Sequence, residues 1–150
     1  FYERFLHYYS QDICVATTLF PGIDALLVRF ESRGSPWGII TNKAQRFTLP
    51  LLTRLGYAKR AACVVSGDSA PRAKPAPQPM RLACALIGKE PARCLYVGDD
   101  ARDIQAGRAV GMATVAVRYG YLGDGDPIEN WGADHLVDHA EEIAALAGVQ

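Results

Sequence analysis

The feature that most constrains this chain of 150 residues is a regular alternation of short apolar runs with amphipathic segments. The runs lie at residues 37–41, 62–65, 94–97, 113–117 and 135–137. Segments with helical spacing lie around them, at residues 23–33, 44–55, 79–87, 104–110 and 140–146. Short, fully apolar strands are typical of parallel sheets buried on both faces, and helices supply their right-handed crossovers. The pattern therefore predicts an α/β fold with a parallel sheet and flanking helices.

The amino-acid composition is typical of a globular protein and not of a disordered, nucleic-acid-binding or membrane-spanning one. The 16 Lys and Arg balance the 16 Asp and Glu, and 49% of residues are hydrophobic. These values fit one globular domain and disfavour a disordered chain or a nucleic-acid partner. No apolar run reaches the roughly 18 residues of a membrane span. Four scattered cysteines without C-x-x-C spacing predict reduced thiols in a cytoplasmic protein; they are Cys14, Cys63, Cys84 and Cys94.

Chemically useful side chains follow three of the predicted strands. Thr41-Asn42 follows the first strand, Lys74-Pro75 lies in the loop after the second, and Gly98-Asp99-Asp100 follows the third, with Asp103 one helical turn later. Because the carboxyl ends of parallel strands meet at one edge, these groups are expected to converge there. A hydroxyl, an amide, an ammonium and carboxylates together suit a phosphoryl group held with Mg²⁺.

Each of these signals also has an ordinary explanation. Thr41-Asn42 is typical of a turn and helix cap, and Lys74 of a solvated loop. Asp99, Asp100 and Asp103 would complement the dipole of a helix N-terminus. Three carboxylates within one turn repel each other unless a cation neutralises them, so the combination favours the functional interpretation. Since a loop lysine contributes little to a core, we expect Lys74→Ala to leave the fold intact.

The order of these motifs resembles that of the haloacid dehalogenase superfamily of phosphatases. The matching segments are Ile39–Lys43, Lys74-Pro75 with Pro77, and Val97–Asp103, and the resemblance covers nearly the whole chain. Within the superfamily the sequence looks most like phosphoglycolate phosphatases. Its tail is particularly similar to the N-acetylmuramic acid 6-phosphate phosphatase branch, in the segments Arg118–Tyr121, Asn130–Asp134 and Val137–His139.

The resemblance implies a Rossmann-like core and a role for each motif residue. Thr41 would bind the transferring phosphoryl group and Asn42 would help to orient it. Lys74 would neutralise charge shared by nucleophile and phosphate, which makes Thr41 and Lys74 catalytic. Asp99 would bind Mg²⁺, and Asp103 would support the metal site. The implied reaction is hydrolysis of a small phosphomonoester through an aspartyl-phosphate, with phosphoglycolate, N-acetylmuramic acid 6-phosphate and other sugar phosphates all open as substrates.

One motif of the family does not occur in this sequence. Asp-x-Asp-Gly-Thr, which in the family supplies the nucleophilic and acid/base aspartates, is absent. In the family it ends a central first strand, and a helical cap is inserted just after it. Residues 1–18 are expected to end that cap, and residues 19–150 to form a partial core without the first strand and most of the cap. We therefore expect an upstream segment in the protein and no activity from this chain alone.

Two other classes of function remain as alternatives. A receiver-like domain binds Mg²⁺ and phosphate without turnover, and here it would be phosphorylated on Asp99. A dinucleotide-binding domain is disfavoured, because no G-x-G-x-x-G follows any predicted strand.

Overall fold

The computed structural model describes residues 19–149. The predicted helix at residues 1–11 and the cap boundary at residue 18 lie outside this range. The α-helices are α1 (Ile23–Ser32), α2 (Gln45–Leu55), α3 (Gln78–Ile87), α4 (Ala101–Ala109) and α5 (Glu141–Leu146). The strands are β1 (Gly38–Ile40), β2 (Cys63–Val65), β3 (Leu95–Gly98), β4 (Ala113–Val117) and β5 (His135–Val137). The predicted α/β class, with parallel strands and flanking helices, is confirmed.

The strands form two parallel sheets. One sheet pairs β1 with β2, with Ile39 opposite Val64. The other has the order β3-β4-β5, with Tyr96 opposite Thr114 and Ala116 opposite Leu136. In the described part of the chain β1 and β3 are therefore both edge strands, and no strand lies between them. The gap coincides with the position at which the resemblance expects a central first strand.

Helices cover both faces of the larger sheet. Val115 and Val117 of β4 pack in a cluster with residues of α1 and α5. Ala116, which points to the opposite face, packs against Ile104 of α4. Val115, Ala116 and Ile104 are completely buried, at 0% exposure. Burial of successive residues on opposite faces explains why β4 has no polar alternation in its sequence.

The gap between the sheets is an open cleft of about 870 Å³. Residues of β1 and β3 line it, together with apolar side chains of α1 and α3. Helix α3 packs against both sheets, because Met80 lies in a cluster with Tyr96 whereas Ala83 lies in a cluster with Val65. This helix therefore holds the two sheets side by side across the cleft.

Helix α4 begins three residues earlier than its apolar spacing predicts. Asp100 caps it, because its carboxylate accepts a hydrogen bond of 2.8 Å from the Arg102 amide. The Asp103 carboxylate accepts a hydrogen bond of 3.2 Å from the Asp100 amide, which completes a capping box. The first turn is polar, so the apolar periodicity is visible only from Ile104. Two short 3₁₀ turns, Pro91–Arg93 and Ile128–Asn130, have no periodic signal and were not predicted.

None of the helices within residues 19–149 has the length and apolar character needed to cross a membrane.

Candidate active site

The ammonium group of Lys74 joins the two sheets at their carboxyl edge. Its Nζ donates hydrogen bonds to Asp103 Oδ1 at 2.6 Å, to the Tyr96 hydroxyl at 3.0 Å and to the Ile40 carbonyl at 3.1 Å. These three acceptors match the three N–H donors of an ammonium group. The Lys74 side chain is only 8% exposed. The loop turns this side chain inward, which excludes the ordinary explanation of a solvated loop lysine and contradicts the premise that Lys74 contributes little to the core.

Asp103 is the buried counter-ion of Lys74. Its side chain is also 8% exposed. One carboxylate oxygen binds Lys74 and the other accepts from the Asp100 amide. Breaking a buried ion pair leaves an uncompensated charge, so each partner constrains the position of the other. The pKa of Tyr96 is raised well above its usual range, which keeps the phenol neutral. Burial is the largest cause, and the charge of the nearby Asp103 carboxylate is the next.

Asn42 holds the backbone of Lys74. Its Oδ1 accepts from the Lys74 amide at 3.0 Å, and its Nδ2 donates to the Lys74 carbonyl at 3.0 Å. The second residue after β1 is thereby fixed to the loop that precedes α3. This contact makes Asn42 a positioning residue for Lys74, a role that sequence reasoning did not anticipate. Its predicted contact with a phosphoryl group stays a prediction.

Thr41 lies at the carboxyl end of β1. Its amide donates to the Val65 carbonyl at 2.9 Å, which extends the pairing of β1 with β2 by one residue. Its Oγ1 accepts from the Lys43 amide at 3.1 Å. Because the hydroxyl acts there as an acceptor, its own proton is available for an anion. Thr41 directly follows Ile40, whose carbonyl binds Lys74 Nζ, so the Lys74 ammonium lies against the peptide group that joins Ile40 to Thr41.

Asp99 directly follows β3. Its Oδ2 accepts a hydrogen bond of 2.9 Å from the Tyr121 amide. Within residues 19–149, Oδ1 of Asp99 has no hydrogen-bond partner. Gly98, which precedes it, is required by a close approach, because a Cβ there would overlap with the Asp103 carboxylate. The end of β3 thus brings the Gly98 backbone against the side chain of Asp103, the partner of Lys74.

The Asp100 carboxylate contacts Arg102 of helix α4. Among the described residues, it makes no hydrogen bond to the cluster that Lys74 forms with Ile40, Tyr96 and Asp103. Both carboxylate oxygens of Asp100 bind the Arg102 side chain, at 2.9 and 2.8 Å. Hydrogen bonds from Arg102 are the largest cause that lowers the pKa of Asp100 to about 2. Together with the capping bond, these contacts account for Asp100 as a helix cap.

The carboxylates fit Mg²⁺ only in part. In the part of the chain that the structure describes, no three His, Cys, Asp or Glu side chains form a group able to hold a metal ion. Both oxygens of Asp103 are engaged, whereas Asp99 keeps one oxygen without a protein partner. Mg²⁺ is commonly held by one or two carboxylates with waters and substrate phosphates. Asp99 therefore fits as one ligand, and other ligands would have to come from elsewhere.

The edge combines groups suited to an anion. The Thr41 hydroxyl, the Lys74 ammonium and the Asp99 carboxylate lie at the carboxyl ends of β1 and β3. Tyr96, the remaining member of the cluster, was not singled out from the sequence. Its only signal is a phenol within an otherwise aliphatic strand.

Comparisons with known proteins agree with the motifs. The chain matches the haloacid dehalogenase-like hydrolase family over residues 2–111. It is 45% identical over 141 residues to the N-acetylmuramic acid 6-phosphate phosphatase of Pseudomonas aeruginosa, covering 94% of this chain and 62% of the relative. It is 41% identical over 141 residues to a phosphoglycolate phosphatase of Xanthomonas campestris pv. campestris, covering 93% and 63%. The chain thus spans about three fifths of the length of these relatives.

Solved structures share the fold. The crystal structure of a predicted phosphoglycolate phosphatase from Haemophilus somnus has a TM-score of 0.88 and 30% identity, covering 96% of this chain and 64% of that one. A HAD phosphatase from Thermococcus onnurineus has a TM-score of 0.79 and 23% identity, covering 100% and 66%, which bears on the fold alone. The resemblance predicted from the motifs is confirmed.

Proposed function

Because this chain belongs to the haloacid dehalogenase-like hydrolase family, we propose that the protein hydrolyses a small phosphomonoester at the edge formed by Thr41, Lys74 and Asp99. One observation carries the proposal. The Lys74 ammonium is held inside the protein, where three acceptors, one each from β1, β3 and α4, fix its position. A fixed, partly desolvated cation stabilises the developing charge of a phosphoryl transition state without reorganisation.

Each described residue has a proposed task. Lys74 supplies positive charge to the phosphoryl oxygens, and the Thr41 hydroxyl donates a hydrogen bond to one of them. Asn42 keeps the Lys74 loop in place. Asp99 is the proposed Mg²⁺ ligand, and Asp103 supports the site through Lys74 and the Asp100 amide. Bound Mg²⁺ would supply additional charge neutralisation on the phosphate.

The nucleophile is proposed to come from a strand that fills the cleft. Within residues 19–149, β1 and β3 each pair with a strand on one side only, and such edges favour the addition of a strand. A carboxylate at the end of that strand would reach the same edge as Thr41 and Asp99. Its oxygen attacks phosphorus as the bond to the alcohol breaks, and a second carboxyl group, in its protonated form, gives its proton to the leaving oxygen and becomes a carboxylate. Water then hydrolyses the aspartyl-phosphate.

Two substrates follow from the relatives. The relative at 45% identity acts on N-acetylmuramic acid 6-phosphate, which we propose as the first candidate. Phosphoglycolate is the second, from relatives at 41% identity. Comparing kcat/KM for both substrates on the full-length protein decides between them. A cytoplasmic location stays a prediction; the free thiols of Cys63, Cys84 and Cys94 agree with it.

The test of the site is the Asp99→Asn variant of the full-length protein. We expect a loss of about 10²-fold or more in Mg²⁺-dependent kcat/KM on a phosphomonoester, because an amide is a poorer ligand than a carboxylate and lacks its charge. Asp100→Asn is the matched control, since it changes the adjacent carboxylate but keeps a capping oxygen. Equal activity of Asp99→Asn and the unaltered protein would remove Asp99 from the site.

A further inference from the structure

The segment that leaves β4 lies directly against Asp99. The Tyr121 amide donates to Asp99 Oδ2 at 2.9 Å. Gly120, one residue earlier, has no room for a side chain, because a Cβ there would overlap with the Asp99 side chain. The backbone of residues 120–121 therefore encloses one side of the carboxylate and occupies one of its two oxygens.

An aromatic group from another part of the chain anchors this segment. The ring of Phe20, which precedes α1, lies 5.5 Å from the Tyr119 ring and 5.4 Å from the Tyr121 ring. The angles between ring planes are 63° and 52°, which are favourable edge or tilted arrangements. Phe20 thus contacts the residues on both sides of Gly120 and restrains the turn that holds Asp99.

We propose that Gly120, the Tyr121 amide and Phe20 form a clamp that presents Oδ1 of Asp99 to a divalent cation. The proposal rests on the proposed function, in which Asp99 binds Mg²⁺. With Oδ2 fixed by the Tyr121 amide, the carboxylate has one orientation, and a ligand that is already oriented loses less freedom when the cation binds. Gly120 and Phe20 are positioning residues, because Gly120 acts through Asp99 and Phe20 acts through the segment that holds Asp99.

The clamp is tested by direct binding of Mn²⁺, as a stand-in for Mg²⁺, to the full-length protein, with free Mn²⁺ measured by electron paramagnetic resonance. Gly120→Ala is expected to weaken binding by about 10- to 100-fold, the usual effect of losing a partner that orients a ligand. Gly125→Ala is the matched control, because a Cβ at Gly125 meets no atom within 4 Å. The control should bind Mn²⁺ like the unaltered protein.

A second variant covers the case in which Gly120→Ala does not fold. Phe20→Leu keeps an apolar side chain but removes both ring contacts, and we expect it to weaken Mn²⁺ binding several-fold while circular dichroism is unchanged. Unaltered binding in whichever of these variants fold would overturn the clamp.

Asp99→Asn separates this failure from that of the proposed function. If Asp99→Asn abolishes Mn²⁺ binding while Gly120→Ala and Phe20→Leu do not weaken it, the clamp is wrong and the metal role of Asp99 stands. If Asp99→Asn also binds normally, the metal role itself is wrong, and the clamp fails with it.

Discussion

At the scale of single residues, Lys74 and Asp103 are buried, although their positions in a loop and in a polar helix turn do not indicate burial. They form a buried ion pair that connects the loop before α3 with β1, β3 and α4. A pair of this kind contributes less to stability than an apolar pair would, because both charges are desolvated. The proposed function gives the fixed ammonium a role that an apolar pair could not perform.

Removing one partner of the pair is therefore expected to destabilise the protein strongly. Lys74→Met should lower the free energy of unfolding by about 3–5 kcal/mol, because Asp103 is left charged and buried. The double variant Lys74→Met/Asp103→Leu should regain much of this loss. Urea denaturation measures both, and Lys59→Met, at an exposed lysine, serves as the control. Equal stability of the single variant and the unaltered protein would contradict the buried-pair description.

Asp100 is expected to matter for stability and not for chemistry. Asp100→Ala should cost about 1 kcal/mol of unfolding free energy, because α4 loses its N-cap. The folded-state pKa of Asp100 is lowered to about 2, so its contribution is present above its ordinary pKa near 4 and is lost as pH falls toward 2. Urea denaturation from pH 7 to pH 2 should show the difference between the two proteins shrinking below pH 4. A difference that grows on acidification would refute the cap.

At the scale of elements, β4 and β5 are tied together by a side chain at their start. Oδ2 of Asp134 accepts from the Thr114 amide at 2.7 Å and from its hydroxyl at 2.9 Å. Thr114 is completely buried, at 0% exposure. The amide of Thr114, and then its hydroxyl, are the largest causes that lower the pKa of Asp134. Asp134 therefore satisfies two buried donors of the sheet.

Losing this carboxylate should loosen β5. Asp134→Ala is expected to cost about 1–3 kcal/mol, because the buried Thr114 donors lose their acceptor. Amide hydrogen exchange at residues 135–137 should rise more than exchange in β2. Asp134→Asn keeps one carbonyl oxygen as an acceptor and should lose less. If Asp134→Ala and Asp134→Asn have the same free energy of unfolding, the hydrogen bonds that Asp134 accepts do not stabilise β5.

The predicted and observed strands and helices together show which parts of the fold can be inferred from the sequence. All five strands were predicted, because fully apolar runs are the direct signal of strands buried on both faces. The start of α4 was not, since its first turn is polar and is fixed by the Asp100 cap. The inward direction of the Lys74 side chain depends on its contact with Asp103, which lies 29 residues away in the sequence. The hydrogen bonds between Asn42 and the Lys74 backbone join residues that are 32 positions apart. No local pattern encodes such contacts.

At the scale of the whole molecule, no strand within residues 19–149 pairs the two sheets directly. Helix α3 packs on both sheets, and the Lys74 cluster connects them at one end. On the outside, Arg60 pairs with Asp24 at 3.0 Å and Glu31 at 2.8 Å of α1. Exposed pairs of this kind stabilise little. The cleft between β1 and β3 is thus the weakest part of the core and the proposed place of the missing strand.

The chain of residues 1–150 alone is expected to be inactive and to expose this cleft. It should bind a hydrophobic dye and show no phosphatase turnover, because its sequence has no Asp-x-Asp-Gly-Thr to supply the proposed nucleophile and no strand within residues 19–149 fills the cleft. The full-length Asp99→Asn variant is the control, since it should also be inactive but bind no dye. Turnover by the chain alone would show that the nucleophile lies within residues 1–150.

The location of the phosphorylated carboxylate tests the central claim most directly. The full-length protein would be incubated with a phosphomonoester and quenched, and the acyl phosphate would be reduced with borohydride and located by mass spectrometry. We predict one labelled aspartate in the strand that fills the cleft and none at Asp99. A label on Asp99 would contradict the proposed hydrolase mechanism and favour a receiver-like domain.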